Sequence, residues 1–141
     1  MIVQTSQIVR FVQDENDWFK RQGYVWITLG QFIYIEGDKV IKVPRGFLSD
    51  GATKAPDYGS AWVFHDYLYA THKFTSGQEC TREEADQVMY NILKHERLNV
   101  YAFIFKMFIR MNPFNIFTKA WENSGKRGLH VFGNKEINNS Y

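Results

Sequence analysis

The sequence predicts an α+β fold, in which a small antiparallel N-terminal β-sheet is followed by an antiparallel helix pair and a third, aromatic-rich helix. Three observations lead to this prediction. The chain up to about residue 45 is rich in β-branched and aromatic residues. From about residue 60 onward, the apolar residues recur at helical spacing. The stretch between these parts, "PRGFLSDGATKAPDYGS", contains prolines and glycines that interrupt both patterns.

Four strands are predicted in the first part of the chain. They are expected near residues 7–13, 24–29, 31–36 and 39–43. The tetrapeptide "EGDK" lies between the last two, and its composition is typical of a hairpin turn. The N-terminal sheet should therefore be antiparallel.

Three helices are predicted in the second part. Ser60 is the expected N-cap of the first helix. Thr81 and Glu84 have the spacing of a capping box, which opens the second helix. The short polar connection "KFTSGQEC" between these helices favours an antiparallel pair. A third helix is expected over 100–110, because Pro113 blocks its extension.

The length predicts one domain over residues 1–141, since 141 residues suit a single hydrophobic core. Within this domain the two composition styles define four parts. They are a β-rich part over about 1–45, a loop over 46–59, a helical part over 60–122 and a loosely ordered tail over 123–141.

The composition disfavours several classes of protein. A net charge of +2, from 17 basic and 15 acidic residues, argues against a dedicated nucleic-acid binder. The single cysteine excludes an intramolecular disulfide. The start "MIVQTSQIVRF" lacks the basic and apolar regions of a signal peptide, so none is predicted. Lys106, Arg110 and Pro113 interrupt the most apolar stretch, 100–117, so no transmembrane segment is predicted.

A histidine and two aspartates stand out on the first two helices. At 100° per residue, His65 lies within the apolar stripe of the first helix, and Asp66 lies at its border. Asp86 sits at the edge of the apolar stripe of the second helix, so its carboxylate can face inward. We therefore predict a His65–Asp86 pair, in which the carboxylate holds one ring nitrogen and leaves the other free. A histidine held in this way is oriented as a general base.

A second group of oxygen ligands is predicted just before the first helix. Asp50 precedes Gly51 in "SDGA", and backbone carbonyls at this point would join Asp66 in an oxygen-rich site. Such a ligand set is typical of a hard cation and favours calcium.

Each of these residues also has an ordinary structural interpretation. An inward histidine is more often a satisfied core residue than a catalyst, and an Asp-Gly pair is usually a turn. An aspartate early in a helix often interacts with the helix dipole. The stretch 101–117 fits either a membrane surface or core packing, of which core packing is favoured. The combination of three acids and a histidine favours a shared site.

Three ordered motifs resemble a small phage-encoded family called domain of unknown function 1353. That family shows V-P-x-G-F-x-[ST]-D-G-A-S, then H-D-x-L-Y, then R-x-x-A-D. The resemblance covers about residues 24–117 and implies a viral or prophage origin, without supplying an activity. The matching residues here are Val43, Pro44, Gly46, Phe47, Ser49, Asp50, Gly51, Ala52, His65, Asp66, Leu68, Tyr69, Arg82, Ala85 and Asp86.

The H-D-x-x-Y helix, with an aspartate on an antiparallel partner helix, is also similar to secreted and microbial phospholipases of the A-two class. This resemblance implies that His65 activates water, Asp86 orients His65 and Tyr69 donates to Asp86. It also implies calcium at Asp66, which would polarise an ester carbonyl. The predicted site residues are His65 and Asp86 for catalysis, Tyr69 and Arg82 in support, and Asp50, Gly51 and Asp66 for a metal.

Two functional hypotheses follow from these patterns. In the first, the chain is a phage hydrolase of esters, including lipid esters, that uses a His-Asp dyad and calcium. In the second, it is a non-enzymatic virion component, such as a minor capsid, tail or assembly protein, with a structural His/Asp cluster. The expected partners are other virion proteins or a membrane lipid surface, and the expected location is the virion or the host cytoplasm.

Overall fold

The computed structural model describes residues 1–10, 26–49 and 59–131. The strands in these ranges are β1 (Ile2–Gln4), β2 (Ile8–Arg10), β3 (Trp26–Thr28), β4 (Phe32–Glu36), β5 (Lys39–Val43) and β6 (Leu48–Ser49). The helices are α1 (Ala61–Thr71), α2 (Arg82–His95), α3 (Asn99–Met111) and α4 (Ile116–Arg127), with a 3-10 turn at Pro113–Asn115. This order of strands and helices confirms the predicted α+β fold class.

The strands form two small antiparallel sheets, whereas the sequence predicted one. The first sheet has the order β1–β4–β5, and the second has the order β2–β3–β6. The expected hairpin between β4 and β5 is present, and the two strands pair along their whole length. The chain bends at 29–30 and passes from the second sheet to the first. Gly30 suits this bend, because a Cβ there would lie 2.1 Å from the Ser6 Oγ.

Two short strands escaped the prediction. β1 has three residues and β6 has two, and neither is long enough for a readable alternation of apolar and polar residues. β6 lies in the segment predicted as a loop and pairs with β3. The strand predicted over 7–13 is present as β2, and residues 11–13 lie outside the described ranges.

Helix α1 lies at the centre of the fold and packs against β5, α2 and α4. Most of its residues are buried, since several elements surround it. Phe64 faces the first sheet, with its ring centroid 6.0 Å from Phe32 and 6.1 Å from Tyr34. The next residue, His65, is rotated by 100° and therefore faces the other helices.

The start of α1 is held by a carboxylate from the end of α2. Ser60 occupies the N-cap position, as predicted, but its side chain makes no capping hydrogen bond. Instead its hydroxyl donates to Glu96, whose other oxygen accepts from the Ser60 N–H at 3.3 Å. A negative charge at a helix N-terminus is favourable, because the first N–H groups lack helical partners. Gly59 leaves room for this carboxylate, since a Cβ there would lie 2.1 Å from it.

Helix α2 begins with the predicted capping box. The Thr81 hydroxyl accepts from the Glu84 N–H at 3.2 Å, and the Glu84 carboxylate accepts from the Thr81 N–H at 3.2 Å. Contacts between α1 and α2 run in opposite order along the two helices. Residues 60, 65 and 72 of the first segment meet residues 96, 86 and 80 of the second. The predicted helix pair is therefore antiparallel.

The chain continues beyond Pro113 as a fourth helix that the sequence did not predict. The Asn112 side chain holds the first turn of this helix: its oxygen accepts from the Phe117 N–H at 2.9 Å, and its amide donates to the Thr118 hydroxyl at 3.0 Å. Residues 123–127, expected in a loosely ordered tail, are helical. Proline fits the first turn of a new helix although it ended the previous one.

An aromatic stack attaches α4 to α1. The His72 ring lies parallel to Trp121, with centroids 3.7 Å apart, and its Nε2 is 3.0 Å from the Trp121 carbonyl. Gly125 is required beside this stack, because a Cβ there would lie 2.5 Å from the His72 ring. Of the rest of the expected tail, residues 128–131 are described and Val131 forms an isolated antiparallel bridge with Phe47, while 132–141 lie outside the described residues.

Candidate functional site

His65 projects from α1 into the space between the helices, as its helical phase predicted. It is 7% exposed. Its ring centroid lies 4.1 Å from Tyr69 and 5.5 Å from Phe105 of α3, which approaches edge-on. The imidazole is therefore enclosed mainly by aromatic side chains, and its polar contact comes from α2.

That polar contact is Asp86, which is 4% exposed. Its Oδ1 lies 2.7 Å from the His65 Nε2 and accepts from the Tyr69 hydroxyl at 2.6 Å. The structure thus brings together the His65 and Asp86 side chains that the sequence paired. It also places Tyr69 where the phospholipase resemblance implied.

Arg82, one helical turn before Asp86, completes the cluster. Its guanidinium donates to the Asp86 Oδ2 at 3.3 Å, and a second nitrogen lies 3.4 Å from Glu83. Both oxygens of the buried carboxylate therefore have donors. A buried charge is costly without such partners, so the three donors stabilise Asp86 where it is.

Tyr69 acts in this cluster as a permanent donor. Burial, then the neighbouring Asp86 charge, raises the pKa of the Tyr69 hydroxyl far above its ordinary value. The phenol therefore keeps its proton throughout the physiological pH range and donates it to the carboxylate.

The hydrogen bonds also assign the protons on the His65 ring. A carboxylate only accepts, so Nε2 carries the hydrogen that lies between His65 and Asp86. In the neutral ring the lone pair is then on Nδ1. Nδ1 makes no hydrogen bond to any residue in the described ranges. One nitrogen is held and the other is free of protein partners, which is the arrangement of a general base.

Asp66 points elsewhere and belongs to a separate contact. The Ser49 hydroxyl of β6 donates to its Oδ2. Both residues line a small cavity of about 30 Å³, to which α4 contributes Ser124 and Arg127. The sequence analysis matches Ser49 to the family motif but assigns it no role in the site, although it directly precedes Asp50.

The predicted metal site falls mostly outside the described part of the chain. Asp50 and Gly51 are not among the described residues. Within the described ranges, no three His, Cys, Asp or Glu side chains come together as metal ligands. Calcium takes about six to eight oxygens, whereas Asp66 shares its cavity with an arginine. The described residues alone do not fit calcium, and the metal site stays a prediction.

None of the described helices is long and apolar enough to cross a bilayer, in agreement with the predicted absence of a transmembrane segment in these ranges.

Comparison with known proteins identifies a family for this chain. No curated protein and no solved structure matches it. The family model described as a protein of unknown function, DUF1353, matches residues 26–106. This segment is more than half of the chain and contains the whole cluster around Asp86. The chain therefore belongs to the DUF1353 family of proteins of unknown function, as its three sequence motifs predicted.

Proposed function

We propose that this chain is a phage-encoded hydrolase of esters, with lipid esters as its substrate class and His65 as its general base. The observation that carries the proposal is the hydrogen bonding of the two nitrogens of the His65 ring. Asp86 holds Nε2 at 2.7 Å, while Nδ1 has no partner among the described residues.

A purely structural histidine at this burial would normally use both ring nitrogens. Buried polar atoms are hydrogen-bonded in the large majority of cases. An unpaired buried acceptor costs about 1–3 kcal/mol. A general base, by contrast, needs one nitrogen fixed and one lone pair directed at water. An Nδ1 without a protein partner among the described residues is available to bind water, which is what a general base requires.

In the proposed reaction, the His65 Nδ1 takes a proton from water as the water oxygen forms a bond to the ester carbonyl carbon. The resulting imidazolium is stabilised by the adjacent Asp86 carboxylate. When the carbon–oxygen bond to the alcohol breaks, the imidazolium returns the proton to the leaving oxygen. Tyr69 and Arg82 hold Asp86 in place and are therefore positioning residues.

Calcium is part of the proposal through the phospholipase resemblance. Bound at Asp66 and the carbonyls near 50–51, it would stabilise negative charge on the ester oxygen. Because these carbonyls lie outside the described residues, the test includes an arm with calcium and an arm with a chelator.

The test is fatty-acid release from mixed phospholipid vesicles by wild type, His65→Gln and the control His95→Gln. His95 is an exposed histidine in the last turn of α2. Its replacement is therefore the same His→Gln substitution at a position outside the cluster. We expect His65→Gln to lose roughly 100-fold or more, as a general base contributes about that much. The control should keep wild-type activity. Equal activity of the two variants, or no hydrolysis by wild type in either calcium arm, would contradict the proposal.

A second candidate is a virion component with a structural cluster, and the burial of the pair favours it. His65 and Asp86 are 7% and 4% exposed, and three donors from two helices meet on one carboxylate. In this role the cluster fixes α1 against α2, and partner subunits cover the outer surface. It predicts that His65→Gln lowers the free energy of unfolding by about 1–3 kcal/mol, while wild type hydrolyses no lipid ester.

A further inference from the structure

Helix α3 presents a continuous apolar stripe to solvent. Within α3 only Ala102 and Phe105 are buried. The exposed large side chains recur at a helical spacing of three and four residues, which places them on one face. They are Val100 (69% exposed), Phe103 (64%), Ile104 (36%), Met107 (43%), Phe108 (39%) and Met111 (65%). Core packing, favoured from the sequence for this stretch, is wrong for this face of the helix.

A groove with three basic residues runs beside the stripe, between α2 and α3. Lys94, Lys106 and Arg110 line it together with Phe103, and its volume is about 410 Å³. This volume is in the range of sites for small ligands. Within the described residues, none of the three cations forms an ion pair with a carboxylate. The Lys106 ammonium lies 4.9 Å from the Tyr90 ring, which also lines the groove, and the groove combines positive charge that has no carboxylate partner in the described ranges with an apolar rim.

The charge of the sequence segment that contains α3 and α4 differs from that of the chain as a whole. Residues 94–131 contain seven Lys and Arg and two Glu, a net charge of +5 against +2 for all 141 residues. The remaining part of the chain is correspondingly acidic. The positive charge is thus concentrated in the segment that includes the apolar stripe, which complements an anionic surface.

We infer that α3 docks on an anionic membrane surface. The apolar stripe inserts at the boundary between headgroups and acyl chains, and the basic groove binds the phosphates of anionic lipids. Amphipathic helices with phenylalanine on one side and lysine or arginine beside it bind membranes in this way. Phenylalanine, methionine and arginine are also enriched at protein interfaces, but lysine is depleted there, so Lys94 and Lys106 favour the membrane over a protein partner.

This inference deepens the proposed function and rests on it only for the identity of the substrate. Phe105, on the inner face of α3, lies 5.5 Å from the His65 ring. A bilayer on the outer face would therefore be about one helix diameter, roughly 10 Å, from the candidate base. Docking itself needs no chemistry at His65, so it is measured without hydrolysis.

The experiment is co-sedimentation of the full chain with two kinds of vesicle in the presence of a chelator. One kind is phosphatidylcholine alone, and the other is phosphatidylcholine mixed with phosphatidylglycerol. Lys106→Glu/Arg110→Glu reverses two charges in the groove. Lys42→Glu/Arg45→Glu reverses two exposed charges near the first sheet and is the matched control. Each basic residue at an anionic surface contributes roughly a factor of five, so losing two positive charges should weaken binding to the anionic vesicles by about 25-fold, and reversing them to Glu should weaken it further.

The apolar half of the surface is tested with Phe103→Ser/Met107→Ser, which should weaken binding to the same vesicles. Both side chains are exposed, so the fold should survive, and near-ultraviolet circular dichroism checks this. His65→Gln should bind like wild type, which separates docking from catalysis. Three results would overturn the inference: no binding to anionic vesicles, equal binding by the groove and control variants, or self-association that covers the stripe.

Discussion

The cluster around Asp86 allows a sharp test through the Tyr69 hydroxyl. Tyr69→Phe removes one oxygen, which donates to the Asp86 Oδ1 at 2.6 Å. The ring stays, and with it the contacts to His65 at 4.1 Å and to Trp121 at 5.0 Å. The change therefore isolates one hydrogen bond to a buried carboxylate.

The expected cost follows from the charge and burial of the acceptor. A hydrogen bond to a charged group contributes about 1.5–3 kcal/mol. The Tyr69 hydroxyl donates to Asp86 over the whole physiological pH range, because burial and the Asp86 charge raise the pKa of this hydroxyl. We expect the free energy of unfolding to fall by about 2 kcal/mol. For a domain of this size, the melting temperature should fall by about 5–10 °C.

The assay is urea denaturation, with Tyr67→Phe as the matched control. Tyr67 lies two residues earlier on α1 and is 8% exposed, but its hydroxyl is 3.4 Å from the neutral Thr75 hydroxyl. Its loss should cost less than about 1 kcal/mol, since this contact is long and uncharged. Equal costs for the two variants, at unchanged denaturant dependence, would refute the assignment of Tyr69 to Asp86.

Two further predictions concern Glu84 and Cys80, which lie at the start of α2 and just before it. Hydrogen bonds from Lys39 and from the Thr81 backbone lower the pKa of Glu84. Its contribution to stability is therefore present above the unfolded value of about 4.3 and is lost as the pH falls through the lowered folded value. Glu84→Gln should reduce the loss of unfolding free energy at acid pH. The effect should be less than about 1 kcal/mol, because the Lys39–Glu84 pair is partly exposed. Urea unfolding at pH 7 and near pH 3 measures this difference. Burial, the largest cause, raises the pKa of the Cys80 thiol to about 12, so iodoacetamide should modify the native chain far more slowly than the urea-unfolded chain. Equal rates of modification of the native and the unfolded chain, measured by mass spectrometry, would contradict the burial of the Cys80 thiol.

The features predicted well from the sequence are those that short-range rules determine. The Thr81–Glu84 capping box depends on residues three positions apart. The inward phases of His65 and Asp86 follow from the helical repeat alone, and a short connection then makes the helices antiparallel. These rules predict the contact at the centre of the candidate site from the sequence alone.

The features that escaped prediction depend on contacts far apart in the chain. Glu96 replaces the expected Ser60 cap from 36 residues away. β6 has two residues and is defined by its pairing with β3, not by its own pattern. The apolar repeat of α3 predicts core packing, which is wrong for its outer face. Periodicity tells which side chains share a face but not whether protein covers that face.

The two proposals place different demands on the two faces of α3. Phe105 on the inner face packs edge-on against the His65 ring. Lys106 and Arg110 flank the outer apolar stripe, remote from the Asp86 hydrogen bonds. Reversing the outer charges should therefore reduce hydrolysis of anionic vesicles while leaving hydrolysis of a soluble short-chain ester unchanged. His65→Gln should abolish both, because the proton transfer is needed wherever the substrate resides. Loss of both activities in the outer-face variant would mean that α3 supports the site by packing and not by docking.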